Sequence, residues 1–236
     1  MPRKELFKRY VLFFISVVFQ GIAVALITYA DIGTTPISSA NYVLSLHSDF
    51  TLGDTTLIFN LMLLLLQLTL IFIGDYKLKD HAINMLMQIP TCLVFSVMID
   101  ISTNVLTLVL SEHNYVLSWV LVVLGTVLLA LAVSMSVIAS VCMVPGEYFI
   151  KLFHPLVKKS FSFVKTFFDI FLVSSAVIIS LFLTGFTEIE GVREGTLFAA
   201  LTTGPIVHIF IPRLKDRLTK LISKSPITPV FIKMSA

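Results

Sequence analysis

Residues 55–74 read TTLIFNLMLLLLQLTLIFIG, a run without a single charged side chain. A helix needs about 20 mostly apolar residues to cross the hydrocarbon core of a bilayer. This run meets that length, with Asn60 as a polar side chain inside it. Lipid offers no partners to backbone N–H and C=O groups, so a spanning segment of this kind must be helical.

Working outward, five more segments have the same character, at about 9–30, 81–102, 115–140, 163–185 and 196–212. The third span of the six holds Pro90 and Asp100. The run from Tyr10 to Ala30 is too long for the apolar core of a secretory signal and reads as a retained first span.

Composition agrees. Of 236 residues, 57% are hydrophobic and 13% charged, against roughly 25% charged in a soluble domain. Mean hydropathy is +0.97. Cys92 and Cys142 both sit in apolar runs and read as buried small hydrophobes rather than a disulfide. No phosphate loop, nucleophile motif or metal-ligand cluster appears, so no catalytic residue and no cofactor is expected.

Charge placement orients the spans. Of the 17 Lys and Arg residues, all but Arg193 fall in the N-terminal tail, the loop after the second span, the segment after the fourth, or the C-terminal tail. These all lie on one side, which the positive-inside rule makes cytoplasmic. Six spans then place both termini in the cytoplasm. The tail RLKDRLTKLISK, residues 213–224, spaces Leu214, Leu218, Leu221 and Ile222 as an amphipathic helix suited to an anionic leaflet. Nucleic acid is not an expected partner.

An offset of 109 residues aligns the first and fourth spans without a gap. Ala23 meets Ala132, Pro36 meets Pro145, Phe59 meets Phe168, and Asn60 meets Asp169. An offset of 115 pairs Pro90 with Pro205 and Phe95 with Phe210. Each half thus reads as span, short segment, span, span. Three is odd, so the second copy enters the membrane from the other side, as in many secondary transporters. The expected fold is an all-α membrane protein of six transmembrane helices in two inverted repeats, 1–105 and 106–214, followed by the basic tail 215–236.

The short segments are ADIGTTPISSANYVLSLH, residues 30–47, and VPGEYFIKLFH, residues 144–154. Gly33 ends the preceding helix, Thr34 or Thr35 can cap a new one, and Pro36 suits its first turn. Pro145 is placed like Pro36. Both read as half-helices, either re-entrant or interfacial, one on each face of the membrane.

These motifs carry a resemblance. Gly33-Thr34-Thr35-Pro36, Asn60, Asp100, Pro145-Gly146-Glu147, Lys165 with Asp169, and Val192 through Thr196 resemble the YczE/YyaS/YitT group of bacterial integral membrane proteins, nearest its YczE-like branch. The resemblance runs to about Leu214. It implies a multispan protein of the bacterial plasma membrane and supplies no substrate.

A carboxylate inside a span is costly and so points to function. Asp169 reads either as a substrate or ion ligand or as the i, i+4 partner of Lys165. Asn60 reads as a ligand or an interhelical hydrogen bonder. Asp100 ends the third span as a ligand or an interfacial cap, and Glu147 is a ligand or a cap at the third position of its short helix. Gly33, Thr34, Thr35 and Pro36 form a turn whose free N–H groups suit anions and carbonyl oxygens. Pro145 opens the second such turn, and Thr196 is a ligand or the cap of the sixth span. Pro90 and Pro205 kink their spans or free carbonyls toward a cavity. Of the scattered histidines only His208 lies within a span.

The leading expectation is a small-molecule transporter with its site between the repeats. A substrate-binding membrane subunit that needs a partner module is the alternative, and a membrane assembly or regulatory factor without cargo is the third. A homo-oligomer or a partner subunit is compatible with all three. An enzyme is not expected.

Overall fold

The computed structural model describes residues 3–110 and 114–222. Its elements are α1 (Arg3–Tyr29), a 3-10 turn (Pro36–Ser38) leading into α2 (Ser39–Leu46), α3 (Leu52–Ile73), α4 (Leu78–Val109), α5 (Tyr115–Ala139), α6 (Pro145–Leu156), α7 (Phe161–Leu183) and α8 (Glu194–Ile222). No strand occurs among the described residues. Six of the helices, α1, α3, α4, α5, α7 and α8, are long and apolar enough to cross a membrane.

α1 is the axis of the bundle. It packs on α4 along one side and on α5 along the other, and α5 in turn packs on α8. Phe13 and Val17 meet Met135 and Ala139 at one end of the α1–α5 contact, and Ile27 and Ala30 meet Leu121 and Val122 at the other. Residues such as Ala23 and Gly125 let the two backbones approach, the usual device where helices pack without a hydrophobic drive between them. By contrast, large apolar side chains such as Leu65, Phe72, Phe171, Phe182 and Leu201 are exposed on the outer helices, as a lipid-facing surface requires.

The two ends of the chain lie together. Lys8 Nζ donates to the carbonyl of Leu221 at 2.9 Å. Close by, the buried Arg9 donates to the C-terminal carbonyl of α5, Ala139 O, at 3.1 Å and pairs with Glu5 at 2.9 Å. On the opposite face the start of α5 meets the start of α8, where Tyr115 OH donates to Glu194 at 3.4 Å.

The short helices cross-pack. α2 lies against α7 and α3, and α6 lies against α3 and α7. The second layer is uneven: α3 packs on α4, while α7 makes no comparable interface with α8 among the described residues.

Two span ends differ most from expectation. α4 continues to Val109, so Asp100 lies well inside the helix rather than at its end. α8 does not stop near position 212 but runs through Pro205 and Pro212 to Ile222, so the first part of the expected tail extends the sixth span. Residues 223–236, the rest of that tail, lie outside the described residues. Pro90 likewise sits in an unbroken helix. Each proline removes one hydrogen-bond donor without ending its helix, because the neighbouring turns hold the path.

Candidate functional site where the short helices meet

Both short helices begin in the same way. Thr35 is extended (φ −78°, ψ 151°) and Pro36 follows at the first helical position; Val144 is extended (φ −64°, ψ 153°) and Pro145 follows. Proline suits this position because its missing N–H would have no partner there. Neither start has a side-chain cap. The expected Thr35 cap is therefore not made: its hydroxyl donates instead to Ser38 Oγ at 3.0 Å. Glu147 stands third in α6, but its carboxylate does not reach back to the Val144 N–H, so its expected cap is not made.

The two starts touch. A Cβ built on Gly146 would sit 2.5 Å from Ile37 Cδ1, the end of a flexible side chain, so the two helix starts are in contact here. Ile37 and Gly146 are the second residues of their helices and stand 109 positions apart. From this contact α2 runs toward the face where His47 meets Glu190 at 2.7 Å, and α6 runs toward the face of the chain ends.

Each start is held by the helix that packs beside it. Gln67 on α3 donates to Pro145 O at 3.1 Å and exchanges amide hydrogen bonds of 3.0 Å with Gln88 on α4. Both glutamines are fully buried. Asn84 Oδ1 accepts the Met143 N–H at 3.3 Å. On the other side, Thr196 Oγ1 accepts the Thr34 N–H at 3.0 Å, Gly195 donates to Ile32 O at 2.7 Å, and Thr28 and Thr34 join their hydroxyls at 2.7 Å. Gly33 turns the chain here with φ 134°. Thr196 thus serves the Thr34 turn.

The side chains around the two tips differ in charge. Lys165 and Asp169, one turn apart on α7, pair at 3.4 Å. Glu147 on α6 feels both of them. Burial raises its pKa above the usual carboxyl range, Lys165 opposes that shift, and Asp169 adds to it. The residues 109 positions earlier are Ser38, Thr56 and Asn60, all buried and all uncharged. Thr56, Asn60 and Gln67 share one face of α3, and Gln67 shows that this face looks at α6. The buried Thr56 hydroxyl has no partner among the described residues.

So Gly33, Thr34 and Thr196 come together, as do Pro36 and Pro145 through Ile37 and Gly146, and Glu147 with Asp169. Asp100 stands apart from all of these. Its carboxylate accepts Thr51 Oγ1 and the Gly53 N–H, both at 2.8 Å, and so caps the start of α3 rather than its own helix. Sequence reasoning passed over Gln67, Gln88, Asn84, Ser38 and Thr56. The signal was there for the glutamines, since an amide inside a lipid-crossing helix needs a partner. For Ser38 and Thr56 it was their offset of 109 from Glu147 and Lys165.

A bundle of six lipid-crossing helices with two short helices meeting inside it defines a multi-pass integral membrane protein. Within that class, the model of the family of unknown function DUF6198 matches residues 7–212, and the chain belongs to that family. Comparison with curated proteins and with solved structures returns no match.

Proposed function

We propose that the chain is a small-molecule transporter built as two inverted three-span repeats, with its substrate site at the meeting point of the two short helices. The observation that carries this reading is the Ile37–Gly146 contact: two matching helix starts, 109 residues apart, meeting face to face inside the bundle. Such broken segments at a repeat interface are where secondary transporters bind their cargo, because free backbone groups and helix dipoles point into the site.

The packing supports the repeat. Exchanging α1 with α5, α2 with α6, α3 with α7 and α4 with α8 turns the α1–α4 interface into α5–α8, α2–α7 into α6–α3, and α2–α3 into α6–α7. Glu147, Lys165 and Asp169 then supply the charged wall of the site, and Ser38, Thr56 and Asn60 the neutral wall. With Ile37 seated on Gly146 the tips are closed, which suits an occluded resting state. The positive-inside bias places both termini in the cytoplasm, and the motifs that resemble the YczE-like branch favour a bacterial plasma membrane.

Proteoliposomes holding the purified chain test this against a panel of small polar solutes. Saturable uptake is expected for at least one solute. Glu147→Gln or Asp169→Asn should reduce it at least tenfold without lowering the melting temperature. Uptake no greater than in protein-free vesicles across the panel would overturn transport, and uptake indifferent to both substitutions would overturn the site.

A further inference from the structure

A cavity of about 460 Å3, mostly apolar but with two carboxylates in its wall, lies away from the short-helix tips, among the ends of α1, α2, α3 and α4 on the face opposite Lys8 and Leu221. That volume falls in the range of small-ligand sites, about 300–1,000 Å3. We propose that it binds a small organic cation, an alkylammonium or quaternary ammonium ion, between the aromatic rings of Tyr29, Tyr42 and Phe50 and the carboxylates of Asp31 and Asp100.

The lining has the composition such an ion needs. Three aromatic rings face the cavity, and ring faces attract ammonium groups through their quadrupoles. The carboxylates supply charge, and among the described residues no Lys, Arg or His lines the cavity. Asp100 is held by two neutral donors, the Thr51 hydroxyl and the Gly53 amide, so its negative charge is uncancelled. Tyr42 OH donates to Asp31 Oδ1 at 3.4 Å. Burial, with Asp31 and Glu190 nearby, raises the Tyr42 pKa and so keeps that phenol a donor.

Among the described residues, Arg193 is a cation close to this wall. It donates to the main-chain oxygen of Asp31 at 3.2 Å and lies 3.8 Å from the Glu194 carboxylate, so it does not pair with the Asp31 carboxylate. A bare metal ion fits less well, because a hard cation wants six or more oxygens and gains nothing from three rings.

This inference stands apart from transport, since it needs only equilibrium binding to the resting protein. The test is calorimetric titration of the full chain in nanodiscs with methylammonium, tetramethylammonium and choline. Its controls are 3,3-dimethylbutan-1-ol, the neutral isostere of choline, and calcium chloride. At least one ammonium should bind saturably, with the isostere weaker by about tenfold or more. Asp31→Asn should weaken ammonium binding by about tenfold. Asn tolerates the left-handed backbone at position 31 (φ 57°), so this variant keeps the fold. Tyr42→Leu should weaken it similarly, whereas Tyr42→Phe, which keeps the ring, should hold within a few fold. The proposal is overturned if none of the three ions binds more tightly than the isostere, if calcium alone binds, or if Asp31→Asn leaves the affinity unchanged.

Discussion

Thr196 Oγ1 accepts the main-chain N–H of Thr34 at 3.0 Å, joining the turn after the first span to the opening of the last across 162 residues. Both residues are buried. Removing the acceptor strands an amide away from water, which costs about 1–3 kcal/mol. Thr196→Val should lower the melting temperature of the purified protein. Thr202→Val, whose hydroxyl bonds only within its own helix to Phe198 O, should be close to neutral.

Gly146 tests the meeting of the short helices. Gly146→Ala should destabilise the protein only slightly, by at most about 1 kcal/mol, because the new methyl must push aside only the end of a flexible side chain. The atom in the way is Ile37 Cδ1; Cγ1 stands back at 3.9 Å. Adding Ile37→Val, which removes only that methyl, should restore most of the loss. A double variant no more stable than Gly146→Ala alone would show that the two positions are not in contact.

The buried glutamines should behave as a unit. Gln67→Leu leaves both Gln88 and Pro145 O short of a donor, and Gln88→Leu leaves Gln67 short of one. A double-mutant cycle of thermal melts should return a coupling energy of about 0.5–3 kcal/mol. Additive losses would mean the amides do not share a network.

Glu147 should make stability pH-dependent. Its folded-state pKa is raised from 4.5, mainly by burial. The folded protein therefore holds this proton more tightly than the unfolded chain. The stability linked to it is fully present below the ordinary carboxyl range and is lost as pH rises through the raised value. Glu147→Gln should abolish that part of the fall in melting temperature from acid to neutral pH. A melting profile indistinguishable from wild type would place the carboxyl in an ordinary aqueous setting.

The spans were legible because lipid enforces one rule over many residues. A run like 55–74 can hardly be anything else, and its observed helix differs only at the margins. Ends were harder. Asp100 looked like a stop because a carboxylate is unwelcome in a span, yet its partners, Thr51 and Gly53, lie in the loop and first turn of α3, too far along the chain to be foreseen. The sixth span was expected to end at 212, but its helix runs on through Pro212 to Ile222, since a long helix absorbs one missing donor. Site residues divided in the same way. Pro36 and Pro145 follow from local backbone rules. The contact of Ile37 with Gly146 is a packing fact that no window of sequence contains, although the offset of 109 pointed to it. The roles of Thr35 and Glu147 as caps failed because each depends on one hydroxyl or amide being at the right angle, which spacing does not encode.

The Lys8–Leu221 contact brings the first and last described helices side by side, while α4 and α5, consecutive in the chain, share no substantial interface. Opening the chain between α4 and α5 therefore separates no substantially packed pair of helices among the described residues. A circular permutant that opens the chain there and closes it through a flexible linker near Arg3 and Ile222 should keep every helix neighbour unchanged. The order in which the two halves are synthesised would then be reversed, and the finished molecule would bear no trace of it.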